Sequence, residues 1–260
     1  MPSTVQEHWL TTPHGPLFAR RWTPARQHKS APLILLHDSL GCVALWRDFP
    51  AQLAACTGRQ VIAYDRLGFG RSAPYPGQLP GSFINDEAHS GFAAVREQMG
   101  VDEFIVLGHS VGGCMAVVCA ALPGCLGLIS EAAPMFVETL TRDGIRAAAR
   151  QFAAPEQMQR LARYHGDKAE WVLRAWIDTW LGEAFSQWQL DAELAQVRCP
   201  VLCLHGEDDE FGSPAHPHRL VAHLRHPATL RLLPECGHVP HRQQPAQVLE
   251  ALASFSVGLR

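Results

Sequence analysis

The sequence predicts an α/β protein with a mostly parallel sheet and helices on both faces. Three observations predict it. Strand-like apolar segments recur at 33–36, 61–64, 104–107, 126–130 and 201–204, with a last strand at 229–233, and the continuous run at 33–36 reads as a strand buried on both faces. Segments with helical apolar spacing separate these runs, and such βαβ alternation implies parallel pairing. With 260 residues, 47% hydrophobic and 18% charged, the chain can bury one large domain, or one domain with an insert.

Residues 5–10 and 17–22 read as two strands around the turn cluster Thr11-Thr12-Pro13-His14-Gly15-Pro16, an antiparallel hairpin. A polar linker at 27–31 leads to the first buried strand, which ends in His37-Asp38-Ser39-Leu40-Gly41. Residues 46–56 carry apolar side chains at helical spacing and stop at Gly58. The strand at 61–64 runs into a Gly-punctuated loop, followed by a Pro/Gly-rich surface stretch at 74–80. One helix is expected over 83–99, closed by Gly100.

Next, Phe104-Ile105-Val106-Leu107 enters Gly108-His109-Ser110-Val111-Gly112, with a small-residue apolar helix behind it. A Gly-x-Ser-x-Gly match alone carries little, because 21 glycines in 260 residues produce one by chance on the order of once in ten chains. The strand before and the helix after give it weight: strand, sharp turn and helix make an elbow that projects a strained serine.

Beyond the strand at 126–130 the strand signal disappears over 134–196. Helical patterns, rich in tryptophan (Trp171, Trp176, Trp180, Trp188), replace it. The expected organisation is a core of residues 1–133 and 197–260 and a helical cap, or lid, of residues 134–196 inserted before the last two strands. The cap would lie over the C-terminal edge of the sheet, where ligands bind in such folds. A strand at 201–204, a helix at 214–224, a strand at 229–233 and a helix at 245–257 complete the chain.

The formal charge of −3 and the scattered arginines offer no electrostatic footprint for nucleic acid or an anionic membrane. The first ten residues lack a basic region and an apolar core, so no signal peptide is expected, and no apolar run approaches the roughly 18 residues of a membrane span. Eight cysteines without a Cys-x-x-Cys spacing read as buried free thiols in a reducing cytoplasm. Fourteen histidines raise a metal question, but no His-Glu-x-x-His or Cys/His quartet is present, so neither metal nor cofactor is expected. His216-Pro217-His218 reads as an exposed loop or helix start. The expected partner is a small-molecule substrate, met by a monomer or homodimer.

A serine nucleophile needs a base, and the base needs an orienting acid. Two strand ends offer them: His205-Gly206-Glu207-Asp208-Asp209-Glu210 after one strand, and Cys236-Gly237-His238-Val239-Pro240-His241 after the next. The order serine, acid, histidine is the one an elbow in this kind of sheet calls for.

On these pieces, together with Asp65-Arg66-Leu67-Gly68-Phe69-Gly70-Arg71-Ser72 and His37-Asp38-Ser39-Leu40-Gly41, the chain resembles the α/β-hydrolase superfamily over essentially its full length. It is similar to small bacterial hydrolases sharing Tyr164-His165-Gly166-Asp167 and the tryptophan-rich lid helix. The resemblance implies Ser110 as nucleophile, His238 as general base and Asp209 as acid, three residues after the turn glycine, with Asp208 the alternative acid. His205 and His241 are alternatives to His238 whose plainer roles are a strand end and the first turn of the closing helix.

The oxyanion donors implied are the Val111 N–H and, from the loop after the first parallel strand, the Ser39 N–H, with Leu40 second. The usual His-Gly is His37-Asp38 here. A carboxylate beside a developing oxyanion is unfavourable, so Asp38 is expected to point away, toward an arginine or backbone amides, or to select a polar or cationic substrate. Trp176 and Trp180, one turn apart, and His109 are candidates for the pocket; His165 is read as structural. The apolar, aromatic lid suits a modest hydrophobic or aromatic acyl group. The function implied is hydrolysis of a carboxylic ester, lactone or thioester through an acyl-enzyme. Carbon–carbon hydrolysis of a vinylogous diketone is the alternative, weakened by Val239 where that family commonly has Trp. A non-catalytic ligand-binding member is the third reading.

Overall fold

The computed structural model of the chain describes residues 3–26, 30–226 and 228–259; most of the linker read at 27–31 lies outside them. Two antiparallel strands, β1 (Thr4–Leu10) and β2 (Leu17–Thr23), open the chain, and β3 (Leu33–Leu36) follows. Helix α1 (Phe49–Thr57) ends at Gly58 in the left-handed conformation and leads to β4 (Val61–Tyr64). The helix expected over 83–99 is two helices, α2 (Phe83–Glu87) and α3 (Gly91–Met99). The break has a packing cause: a Cβ on Gly91 would lie 2.2 Å from Glu87 Oε1 and 3.1 Å from Tyr64. The chain turns there to bring its backbone against Tyr64, which periodicity alone does not register.

Strand β5 (Phe104–His109), helix α4 (Val111–Ala120) and strand β6 (Cys125–Glu131) come next. Between β6 and the following strand lie α5 (Thr139–Gln151), α6 (Pro155–His165), α7 (Ala169–Leu181) and α8 (Asp191–Leu194). Then β7 (Val201–Gly206), α9 (Ala215–His223), β8 (Ala228–Leu233), α10 (Pro240–Gln243) and α11 (Pro245–Val257) finish the fold. The eight strands form one sheet in the order β1-β2-β4-β3-β5-β6-β7-β8. Pairing is antiparallel where β2 joins β1 and β4, and parallel from β4 across to β8.

Alternation along each strand divides the core between the two faces. Ile34, Leu36, Ile62, Val106 and Leu128 pack with α2, α3 and α4. Leu33, Leu35, Val61, Ile105 and Ile129 pack with α1 and α11 on the other side. Burial on both faces is why these strands read as unbroken apolar runs. Leu190 and Leu194, at the end of the helical segment, are buried in the first of these cores with Val197. Leu161, Ala169, Val172 and Leu173 instead form a smaller apolar cluster with Phe69.

All eight cysteines are free; Cys56 is exposed and Cys125 partly so, against the expectation of burial, and the other six are buried. Among the described residues, no helix is long and apolar enough to cross a membrane and no group of ligating side chains is arranged for a metal ion.

Candidate active site

The parallel strands β3, β5, β6, β7 and β8 deliver their following residues to one edge of the sheet, where the predicted residues meet. At the end of β5, Ser110 has φ 55° and ψ −127°, a backbone conformation that costs a non-glycine residue of the order of 1–3 kcal/mol. Its neighbours make that turn possible. A Cβ on Gly108 would lie 2.0 Å from Gly112 O, and one on Gly112 2.2 Å from Leu36 O. Only glycine at both positions lets α4 start directly over the strands.

Ser110 Oγ lies 3.0 Å from His238 Nε2, and His238 Nδ1 lies 2.8 and 2.9 Å from the two Asp209 carboxylate oxygens. In this arrangement the neutral imidazole carries its proton on Nδ1, donates it to Asp209, and turns the Nε2 lone pair to the serine hydroxyl. The Phe211 and Gly212 N–H groups also donate to Asp209 Oδ1, at 2.8 and 3.1 Å. Burial pushes the Asp209 carboxyl up, but the bond and charge of His238 and the Phe211 amide outweigh it and hold the group below its ordinary value. For His238, burial pushes down, while the bond and charge of Asp209 outweigh it and raise the imidazole above its ordinary value. Among the described residues Asp208 makes no such contact, its backbone N–H being bonded to Cys236 O; of the two adjacent aspartates, Asp209 is the one against His238.

A cavity of about 190 Å³ opens at Ser110 and His238. Asp38, Ser39 and Leu40 form one side, Glu210, Phe211 and Gly212 another, and Thr141, Ile145, Trp176 and Trp180 of α5 and α7 complete it. Both candidate tryptophans are therefore in the wall. His109 is not. Its ring is buried behind the site, 2.7 Å from the backbone carbonyl of His238 through Nε2, with its pKa pushed down by burial to about 4. It follows β5 into the sheet while Ser110 turns out, so it supports the His238 loop from beneath. Val239 lines the cavity.

The Ser39 and Val111 N–H groups have no hydrogen-bond acceptor among the described residues, and Val111 opens α4, where free amides and the helix dipole favour an anion. The residue between His37 and Ser39 departs from expectation. The Asp38 carboxylate faces neither an arginine nor amides: Oδ2 is 3.6 Å from His109 Nδ1 and Oδ1 is buried without a partner. The arginine is present, but it takes the Asp38 main chain, with Arg66 Nη2 donating to Asp38 O at 2.9 Å.

The other histidines fall into structural places. His241 is in the short α10, its Nδ1 2.9 Å from Glu131 Oε2, and its N–H donates to Glu131 Oε1. His205 ends β7 and donates to Gly212 O, while standing 3.7 Å from Asp209 Oδ2. His165 joins two loops, accepting the Gly70 N–H and contacting Leu40 O. His216 is at a helix start as expected but buried, accepting the Met135 N–H and lying 2.9 Å from Glu138. Its partners come from 80 residues away in the chain, which local polarity does not reveal. Glu210, whose carboxylate receives the His238 N–H at 3.1 Å, and Arg66 are the site residues that sequence reasoning missed; nothing but their adjacency to a motif marks them.

The model of the alpha/beta hydrolase family matches residues 33–251. The chain belongs to that family. Among relatives of this alpha/beta hydrolase, a proline iminopeptidase of Lactobacillus delbrueckii subsp. lactis is 27% identical over 87% of this chain and 90% of its own length. A bifunctional esterase/perhydrolase of Acinetobacter calcoaceticus is 28% identical over 78% and 82%. In solved structures, a proline iminopeptidase of Mycobacterium smegmatis superposes with TM-score 0.76 at 23% identity, over 97% of this chain and 98% of that one. A carboxylesterase of Bacillus subtilis does so with TM-score 0.72 at 16% identity, over 98% and 92%. These last two likenesses establish the fold; the alpha/beta hydrolase relatives include both an esterase and a peptidase by name.

Proposed function

We propose that this alpha/beta hydrolase cleaves carboxylic esters, with lactones and thioesters in the same class, through an acyl-enzyme on Ser110. The observation that carries the reading is the unbroken line from Ser110 Oγ to His238 at 3.0 Å and on to Asp209 at 2.8 Å, opening into a largely apolar cavity. Ser110 Oγ attacks the acyl carbon and passes its proton to His238 Nε2; the carbonyl π electrons move to oxygen. The Ser39 and Val111 amides receive that oxyanion, and Asp209 holds the imidazolium. When the intermediate collapses, the bond to the leaving alcohol breaks and His238 protonates the alkoxide. Water, deprotonated by the same nitrogen, then attacks the acyl-serine, and the carboxylic acid leaves as Ser110 recovers its proton.

The cavity size and the walls of Trp176, Trp180, Ile145 and Phe211 support a modest hydrophobic acyl group. In this reading the helices between β6 and β7 are the substrate cover, a cap of residues 134–196 on a core of the remainder. The Lactobacillus relative gives a second substrate class, a prolyl amide, attacked by the same serine. Hydrolysis of p-nitrophenyl esters of increasing acyl length, set beside prolyl p-nitroanilide, in wild type and Ser110→Ala tests the proposal. Short and medium esters are expected to turn over only with Ser110 present. Activity little changed by the substitution contradicts the acyl-enzyme, and preference for the anilide replaces ester by amide.

A further inference from the structure

We propose that Arg66 is a positioning residue of the oxyanion hole: by gripping the carbonyl end of the Asp38–Ser39 peptide it aims and polarises the Ser39 N–H. The inference rests on the acyl-transfer reading of Ser110.

The argument starts from an expensive group. Arg66 is only 3% exposed, has no ion-pair partner among the described residues, and leaves Nε buried without an acceptor. Burying a cation without a paired anion is costly. Glu87 supplies some compensating charge, yet its carboxylate is already bonded to the Tyr64 hydroxyl at 2.6 Å. The guanidinium stacks over Phe69, 4.3 Å from the ring centroid, which fixes its plane and leaves Nη2 directed at Asp38 O, 2.9 Å away. His37 reinforces the grip. Its Nε2 accepts the Arg66 N–H at 3.2 Å, so its proton is on Nδ1, which donates to the same Asp38 oxygen at 2.8 Å.

The Asp38 carbonyl and the Ser39 N–H are opposite ends of one planar trans peptide. Fixing the carbonyl therefore fixes the direction of the amide, with no freedom for that loop to flip its donor away. A cationic donor on the oxygen also draws charge through the peptide and strengthens the N–H as a donor. A second observation places the arginine there independently. A small cavity of about 10 Å³ is lined jointly by Ser39, Val111 and Arg66, so the arginine borders the same small space as both residues whose amides would receive the oxyanion. The Asp38 carboxylate beside this loop is unfavourable to an oxyanion, and a buried cation at the main chain of the same residue offsets it.

The test uses two inhibitors of one shape. An aryl trifluoromethyl ketone adds to Ser110 Oγ, its carbonyl oxygen becoming an oxyanion as the serine proton moves to His238; the corresponding trifluoromethyl carbinol fills the cavity without forming one. In Arg66→Gln, ketone affinity and ester kcat are expected to fall together by roughly 10- to 100-fold, the scale of losing much of one oxyanion donor. Carbinol affinity and KM should stay within about threefold of wild type. Arg66→Lys, which keeps the charge, should fall between and gives the same comparison if the glutamine variant does not fold. Equal loss of ketone and carbinol, or unchanged ketone affinity with Ser110-dependent hydrolysis intact, overturns the role of Arg66 alone. Hydrolysis that persists in Ser110→Ala overturns the acyl-transfer reading and this inference with it.

Discussion

Two carboxylate–histidine pairs adjoin the ring of His109 at the end of the sheet. Asp209 holds His238 at 2.8 Å and Glu131 holds His241 at 2.9 Å, and the ring of His109 lies between them, 5.2 and 5.1 Å from the two imidazole centroids. Their chemistry is nearly the same and their surroundings are not. The far nitrogen of His238 meets a serine hydroxyl at the wall of a cavity. His241 is packed against Trp46 and Phe49, with ring centroids 4.8 and 5.1 Å away. A carboxylate that orients an imidazole makes a base only where the other nitrogen has a proton to take; elsewhere the same pair is a buried tie between β6 and α10.

The sharpest way to break the comparison is to remove the hydroxyl. Ser110→Ala should lower kcat for a p-nitrophenyl ester by roughly 10⁶-fold, to the residual level left by binding and the oxyanion amides. Asp209→Asn should cost roughly 10⁴-fold by favouring the wrong tautomer. Its pH profile carries a second readout. Burial lowers the His238 pKa and Asp209 outweighs it, so the acid limb of kcat/KM in wild type should lie above the ordinary histidine value of about 6.5. Without the aspartate charge, burial remains, and the limb should move to lower pH; a limb that stays put contradicts the assignment.

The other pair should respond in stability. Glu131→Gln removes the buried carboxylate that takes the His241 N–H and Nδ1 and is expected to cost about 1–3 kcal/mol in unfolding experiments, with kcat of the folded fraction changing less than about tenfold. The pH dependence follows from sign. Burial raises the Glu131 carboxyl but His241 and His109 outweigh it, so its folded pKa lies below the unfolded value. Its contribution is fully present above the unfolded carboxylate pKa and is lost as pH falls through the folded one. The glutamine variant should lack that part of the acid destabilisation. Smallest of all, Asp208→Asn should leave kcat within about threefold of wild type, because its side chain does not take part in the pair its neighbour makes.

What could be read from the sequence follows from how local each feature is. The apolar strands β3, β4, β5 and β7 and the elbow glycines are set by neighbours in the chain and are found where the sequence puts them, and Asp209, three residues past Gly206, lies against His238; β8, at the sheet edge, is half-exposed. The interruption between α2 and α3 depends on Tyr64, a residue of another strand. His216 is buried against Met135 and Glu138, which lie beyond the end of β6 and distant in the chain, and His109 turns under the site because the serine beside it must turn out. Arg66 stands inside the quoted Asp65–Ser72 stretch, but nothing there gives its role: its partner is the main chain of Asp38, and a backbone acceptor leaves no trace in a sequence.

The most direct measurement of the difference between the two pairs is covalent labelling with a fluorophosphonate followed by peptide mass analysis. A single adduct on the peptide containing Ser110, lost in Ser110→Ala and strongly slowed in Asp209→Asn but not in Glu131→Gln, is the predicted result. No adduct in the wild type, or an adduct that survives Ser110→Ala, would contradict it.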